Sequence, residues 1–124
     1  MLTVVCRSPG VLQAEDRPEP VRGEADVLVR VRRVGVCGTD LHIFTGDQPY
    51  LEYPRVMGHE LSGVVAEAPP GSPLRAGEPV FVMPYLSCGS CIACRVGKTN
   101  CCVNIQVLGV HRDGAFAELL AVPQ

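Results

Sequence analysis

The chain has no tryptophan, and aromatic residues make up only 5% of its 124 residues. It also lacks a basic excess, because 11 lysines and arginines stand against 13 aspartates and glutamates, for a formal charge of −2. Proteins that bind nucleic acid or anionic membranes carry clustered positive charge, and single-strand binders place aromatic side chains between the basic ones. The composition therefore argues against a nucleic-acid or membrane partner.

A long hydrophobic run is missing as well. No stretch approaches the roughly 18–20 consecutive apolar residues that cross a bilayer as a helix. The first residues, Met1–Arg7, lack the basic start and the apolar core of a signal peptide. We therefore expect a soluble, cytoplasmic protein. The hydrophobic fraction of 47% is sufficient for one packed core, so we interpret residues 1–124 as one domain.

Glycine and proline are abundant, and they interrupt the apolar segments too often for long helices. The 13 glycines and 11 prolines predict a mainly β domain with many turns. Apolar clusters and alternation predict strands over residues 2–6, 27–36, 61–68, 80–83, 105–110 and 116–122.

Local signals refine three parts of this prediction. The apolar phase slips by one residue after Arg33, which indicates a β-bulge shortly before Cys37. A short helical turn is predicted over Thr39–Phe44, with Thr39 or Asp40 as its cap. Asp113-Gly114 is a turn signal, and it predicts that the last two strands surround a turn.

Seven cysteines are the most unusual feature of the composition. Their odd number and the missing export signal argue against a disulfide framework. Five of the seven lie between Cys88 and Cys102. The two-residue spacers between Cys88, Cys91 and Cys94 let three thiolates converge on one ion. On spacing alone, either Cys101 or Cys102 completes a tetrahedral zinc site.

Two other interpretations of these cysteines are weaker. Free buried thiols would need apolar surroundings, which this polar loop lacks. A redox Cys-x-x-Cys pair usually begins a helix in a βαβ unit, and no such unit is predicted here. We therefore predict a zinc lobe over about residues 86–104. A site closed by four thiolates has no free coordination position, so its role is structural.

A second group of candidate ligands lies in two short motifs nearer the N-terminus. Cys37 and His59 are good zinc ligands, each beside a strand end, and Glu60 is a possible third. Three protein ligands leave a position for water or substrate, as in catalytic zinc sites. Taken singly the signals are weak, because a lone cysteine after a valine-rich strand is more often a core residue.

The neighbouring residues add groups that serve such a site. Asp40 can hold the far nitrogen of a ligating imidazole. Thr39 and His42 are a hydroxyl and an imidazole close in sequence, and such a pair can pass a proton.

These motifs resemble the N-terminal catalytic domain of the zinc-dependent medium-chain dehydrogenases, the alcohol and polyol dehydrogenase family. The resemblance covers essentially the whole chain and implies a mainly β fold, a GroES-like, partly open β-barrel with short helices and a zinc-binding lobe. Four segments carry it: residues 35–42 (GVCGTDLH), residues 58–63 (GHELSG), the cysteine-rich residues 88–102 and residues 113–118 (DGAFAE).

The resemblance implies a role for each candidate residue. Cys37 and His59 match the catalytic zinc ligands, and Glu60 matches a glutamate beside that zinc. Thr39 matches the hydroxyl that takes the substrate proton, and His42 matches the outer relay histidine.

The remaining assignments concern the orientation of a zinc ligand and the ligands of the structural zinc. Asp40 matches the carboxylate that orients a ligating histidine. Cys88, Cys91, Cys94 and Cys102 match the ligands of the structural zinc, which leaves Cys101 as an extra thiol.

Members of this family continue beyond the point matching Gln124 into a Rossmann domain with a Gly-x-Gly-x-x-Gly turn, and residues 1–124 contain no such pattern. NAD or NADP would therefore bind through a domain absent from this chain, which alone is expected to be inactive. The resemblance implies oxidation of a small-molecule alcohol, polyol or sugar acid by hydride transfer to NAD(P), in a full-length homo-oligomer. The alternative is a stand-alone zinc-binding domain without catalysis.

Overall fold

The computed structural model describes residues 1–123. Strands dominate this part of the chain: β1 (Leu2–Ser8), β2 (Val11–Asp16), β3 (Asp26–Gly35), β4 (Arg55–Val56), β5 (Glu60–Glu67), β6 (Pro79–Val82), β7 (Tyr85–Leu86), β8 (Gln106–Val107) and β9 (Leu119–Pro123). The helical elements are short: α1 (Gly38–Thr45), α2 (Ile92–Arg95) and a 3₁₀ turn (Thr99–Cys101). Across residues 1–123 no helix has both the length and the apolarity that a bilayer crossing requires.

The strands form two main antiparallel sheets. One has the order β2-β1-β4, and the other has the order β6-β5-β3-β9. A two-stranded ladder of β7 and β8 flanks the cysteine-rich residues in sequence. The sheets do not close into a barrel. The mainly β, partly open, GroES-like architecture is thus confirmed.

Three clusters of buried side chains form the core. The first joins Cys6 of β1, Ile43 of α1 and Met57. The other two lie on the larger sheet: Leu61, Leu108, Ala115 and Leu120 in one, and Val27, Val29 and Val65 in the other. Because Ile43 is fully buried, the face of α1 that carries Ile43 packs against the rest of the fold.

A bulge near the end of β3 changes the direction of its last residues. Val31 pairs with Gly63 and Arg33 pairs with Ser62, so one residue of β3 has no partner in β5. Val31 and Val34 would face opposite sides of a regular strand, yet both pack on the cluster around Leu61. The predicted bulge is confirmed, and it lies upstream of Cys37.

The structure corrects the predicted strands around Asp113-Gly114. β8 pairs with β7 and β9 pairs with β3, so the two segments form no hairpin. The turn falls at residues 109–111, where Gly109 supplies a positive φ of 79°. The Asp113 carboxylate instead accepts a hydrogen bond from the Val56 N–H. Long-range bonds to residues 56–58 therefore replace the local turn.

Candidate metal centres

Cys37 is the N-cap of α1, a position that the sequence prediction gave to Thr39 or Asp40. Its Sγ accepts a hydrogen bond from the Thr39 N–H at 3.3 Å. Asp40 returns the contact, because its Oδ2 accepts from the Cys37 N–H at 3.0 Å. This reciprocal arrangement is a capping box in which sulfur replaces the usual hydroxyl. The helix start therefore fixes where the thiol stands.

His59 brings a second donor atom to the same place. It follows the buried residues Val56, Met57 and Gly58 and directly precedes β5. Its Nε2 lies 3.0 Å from Cys37 Sγ, although the two residues are 22 positions apart. The predicted pairing of these two side chains is therefore present in the fold.

Asp40 lies beneath this pair and is 1% exposed. Its Oδ1 accepts a hydrogen bond from the Gly58 N–H at 3.2 Å and lies 3.9 Å from His59 Nδ1. That imidazole nitrogen is buried without a hydrogen-bond partner among the described residues. One ligand atom each from Cys37, Asp40 and His59 lies within 4.8 Å of the other two. Asp40 therefore contacts both segments that carry the donors.

An open cleft of about 490 Å³ gives access to the pair. Its lining includes Cys37, Thr39 and His59, and also the apolar side chains Phe81 and Met83. Thr39 is thus one of the residues that a molecule bound in this cleft would lie beside.

Besides Thr39, two predicted site residues lie outside the Cys37–Asp40–His59 group. The Glu60 carboxylate lies over Gly35, where a Cβ atom would come within 2.5 Å of its Oε2. Glu60 still lines the cleft. His42 is exposed on the outer face of α1 and does not line it. Their roles at the metal and in the proton relay stay predictions.

The four predicted lobe cysteines lie together at the other centre. One sulfur each from Cys88, Cys91, Cys94 and Cys102 lies within 4.8 Å of the other three. Cys91 and Cys94 Sγ are 3.5 Å apart. Cys101 lies on the 3₁₀ turn and is exposed, whereas Cys102 is 5% exposed and accepts from the Cys88 and Asn104 N–H groups.

The hydrogen bonds of this lobe favour thiolates at some positions. Backbone N–H groups of Ser90 and Cys91 directed at Sγ lower the pKa of Cys88 to about 5. The pKa of Cys91 is also lowered, chiefly by the backbone N–H of Cys94. Burial and the neighbouring thiols raise the pKa of Cys94 to about 11. A divalent cation among these sulfurs favours deprotonation of all of them.

Both donor sets fit zinc. Four convergent sulfurs match its closed tetrahedral site, and one sulfur with one imidazole nitrogen matches part of an open site. The cap role of Cys37 was not predicted, although Cys37-x-x-Asp40 has the spacing of a capping box. That spacing is the signal that would have identified it.

Comparison with known proteins shows that the chain is similar to dehydrogenases and to one of their domain families. The sequence profile of the Alcohol dehydrogenase GroES-like domain matches residues 23–124. L-galactonate-5-dehydrogenase of Escherichia coli (strain K12) is 44% identical over 124 residues, which are 99% of this chain and 36% of that protein.

Two solved structures support the same assignment. The short chain alcohol dehydrogenase RspB of E. coli CFT073, complexed with NADH, has a TM-score of 0.91 and 42% identity over 99% of this chain and 36% of its own. Galactitol-1-phosphate dehydrogenase of Escherichia coli has a TM-score of 0.92 and 31% identity over 100% of this chain and 36% of its own.

The chain spans 36% of the length of each of these three proteins. Within that span the profile match, the sequence identity and the structural superposition all indicate the same family. The chain therefore belongs to the Alcohol dehydrogenase GroES-like domain family.

Proposed function

We propose that this chain is the catalytic domain of a zinc- and NAD(P)-dependent dehydrogenase of alcohols, polyols or sugar acids. The observation that carries the proposal is the 3.0 Å approach of Cys37 Sγ and His59 Nε2 beside an open cleft. Two matched proteins are named as dehydrogenases of L-galactonate and of galactitol 1-phosphate. Those names support a substrate with several hydroxyl groups.

Cys37 and His59 are the proposed ligands of the catalytic zinc. When bound, zinc supplies a Lewis acid that makes a substrate hydroxyl easier to deprotonate. Asp40 is better suited to orientation than to ligation, because its Oδ1 and Oδ2 already accept from the Gly58 and Cys37 N–H groups. Glu60 adjoins His59 and lines the cleft, so it remains our proposed third ligand.

The proton path begins at Thr39. Thr39 lines the cleft with Cys37, and its hydroxyl is proposed to accept a proton from a bound alcohol. His42 lies three residues further along α1, which is one helical turn, and its imidazole is exposed. We propose that the proton passes from Thr39 to His42 and then to solvent.

Hydride acceptance is proposed to require a nicotinamide held by another domain. Residues 1–123 show no βαβ unit, and the Gly-x-Gly-x-x-Gly pattern that cradles a dinucleotide is missing from the sequence. The chain alone is therefore proposed to be inactive, with Cys88, Cys91, Cys94 and Cys102 holding a structural zinc.

Metal analysis with matched cysteine variants tests the metal part of this function. The purified chain should carry two zinc ions, and Cys37→Ser should carry one. Cys101→Ser is the control, because Cys101 is exposed and outside both donor groups, and it should keep two. Cys37→Ser with two zinc ions would contradict the catalytic assignment.

Turnover tests the reaction. The gene product that carries this sequence should reduce NAD or NADP with at least one of a set of polyols, sugar acids and simple alcohols. Cys37→Ser in the same protein should lower kcat/KM by a factor on the order of a thousand or more, since the metal site is lost. Two bound zinc ions without any nicotinamide-linked turnover would favour a binding domain without catalysis.

A further inference from the structure

The segment after Gly109 contacts the peptide that leads into His59. Backbone N–H groups of Gly114, Ala115 and Phe116 donate to the carbonyls of Val56, Gly58 and Met57, at 2.7, 2.9 and 3.0 Å respectively. Outside these bonds, Asp113 Oδ1 accepts from the Val56 N–H at 3.1 Å. The run before His59 is thus tied along its length to residues 113–116.

Two glycines of this segment pack directly on the Gly58 backbone. A Cβ atom on Gly109 would come within 2.8 Å of the Gly58 carbonyl oxygen and 3.0 Å of its nitrogen. A Cβ atom on Gly114 would overlap the same carbonyl oxygen and lie 2.6 Å from the Gly109 Cα. Gly58, Gly109 and Gly114 are all buried. These backbones can approach so closely only because neither position carries a side chain.

The segment is itself anchored to the rest of the fold. The Phe116 carbonyl accepts from the Val4 N–H of β1 at 2.7 Å, and Gly109 donates to Arg112 at 2.7 Å. The Gly58 N–H donates to Asp40 Oδ1. Gly58 is therefore bonded to α1 through its N–H and to residues 113–116 through its carbonyl, and His59 is the next residue.

We propose that Gly109 and residues 113–116, called the clamp here, position the His59 imidazole relative to Cys37 Sγ. Gly109 and Gly114 are positioning residues, because they act through the Gly58 backbone and line no part of the cleft. This inference rests on the proposed function, in which Cys37 and His59 hold one zinc. It gives a physical role to the DGAF part of the motif at residues 113–118.

A pair of matched glycine variants tests the clamp. Gly109→Ala adds a methyl group against Gly58, whereas Gly71→Ala adds one where no atom lies within 4 Å. The two glycines have φ values of 79° and 82°, so both variants carry the same backbone strain. The readout is zinc affinity of each centre, measured by competition with a chelator on the folded chain.

We expect Gly109→Ala to weaken zinc at the Cys37–His59 centre by about tenfold or more, as loss of ligand orientation does in other sites. The four-cysteine centre should keep its affinity, and Gly71→Ala should keep both affinities. A Gly109→Ala variant that folds and binds both zinc ions as the wild type does would overturn the clamp. A wild-type chain that binds no second zinc would overturn the proposed function instead.

A milder variant decides the question if Gly109→Ala does not fold. Asp113→Ala removes the acceptor of the Val56 N–H and of Arg55 Nη1, and it also removes the 3.6 Å ion pair with Arg17 Nη1. Asp16→Ala is its control, because it removes a carboxylate of the same charge that pairs only with the N-terminal amine among the described contacts, although Asp16 is 95% exposed and Asp113 is 52% exposed. Asp113→Ala should weaken the Cys37–His59 centre by about threefold or more, a smaller loss because the clamp's backbone bonds remain. Equal zinc affinities in these two variants would overturn the clamp.

Discussion

Cys37 has two tasks at the scale of the single residue. Its sulfur accepts the Thr39 N–H and so begins α1, and the same sulfur faces His59. A substitution at this position therefore changes the helix start as well as the donor set. Serine keeps an oxygen that can cap a helix, which makes Cys37→Ser the substitution that separates metal binding from folding.

The cysteines outside the two donor groups should differ sharply in reactivity. Cys6 is fully buried, and burial raises the pKa of its thiol. A raised pKa leaves less thiolate at a given pH, and the thiolate is the nucleophile. In the zinc-loaded chain, Cys6 should react with a thiol reagent on the order of a hundredfold more slowly than the exposed Cys101.

Mass spectrometry of timed alkylation measures both rates. The Cys6 rate should stay low as the pH rises from about 7 to about 8.5, the ordinary thiol pKa, and urea should abolish the protection. Rapid labelling of Cys6 in the folded chain would show that the first core cluster is open to solvent.

Sequence reasoning reached most of the donor atoms but not their arrangement. Residue type and spacing indicated Cys37, His59 and the lobe cysteines, because few other side chains suit zinc. Spacing alone left Cys101 and Cys102 equivalent. The fold separates them by burying Cys102 and exposing Cys101 on the 3₁₀ turn. That distinction depends on the path of the returning chain, which a linear pattern does not record.

At the scale of elements, the cysteine lobe has almost no core of its own. Cys102 is the one buried residue of the run 87–104, and α2 buries none of its residues. The side chains Ile92, Val96 and Val103 are exposed, at 65%, 60% and 72%. Apolar burial therefore contributes little to holding this lobe, and a zinc ion held by the four convergent sulfurs is the cross-link that we propose.

Cys88→Ser should consequently loosen the lobe. Removing one ligand from a closed site should lower its zinc affinity by more than the about 10–100-fold typical of lost supporting contacts. Limited proteolysis should then cut within residues 87–104 at least about tenfold faster, since cleavage follows the population of the open form. Cys101→Ser provides the comparison and should leave the lobe protected. Equal cleavage rates in the two variants would show that something other than metal orders the lobe.

Elements with strong local patterns were predictable, and those defined by distant partners were not. Alternating valines identified β3, and the phase slip located its bulge. β2 escaped prediction, because five of its six residues are exposed and it carries little apolar signal. The expected hairpin after Ile105 was wrong because β8 and β9 pair with β7 and β3, whose positions in space no local signal encodes.

At the scale of the whole molecule, Ile43 joins α1 to the core. It is fully buried, and it packs in one cluster with Cys6 and Met57. Ile43 lies on α1, the helix whose N-cap is Cys37. The position of one donor therefore depends on packing at a residue less than two helical turns away. The other donor is proposed to depend on the clamp, which binds the Met57 carbonyl, so the supports of the two donors meet in the first core cluster.

Ile43→Ala should destabilise the chain by about 2–5 kcal/mol, the usual cost of emptying a buried isoleucine site. Leu41→Ala lies on the same helix but at a position 60% exposed, and it should change stability by about 0.5 kcal/mol or less. Urea unfolding of the zinc-loaded variants measures both. A small effect at Ile43 would mean that α1 is held chiefly by its capping contacts.

The unpaired residue in β3 sets a limit on how this sequence can vary. Arg32 is exposed, so substitutions of its side chain should change stability little. Deleting that position would turn Val34 away from the hydrophobic interior and rotate the following thiol away from the imidazole. Insertions and deletions should therefore disrupt the fold here even where substitutions are tolerated. Related sequences should keep the number of residues in this stretch while the residue type at position 32 varies.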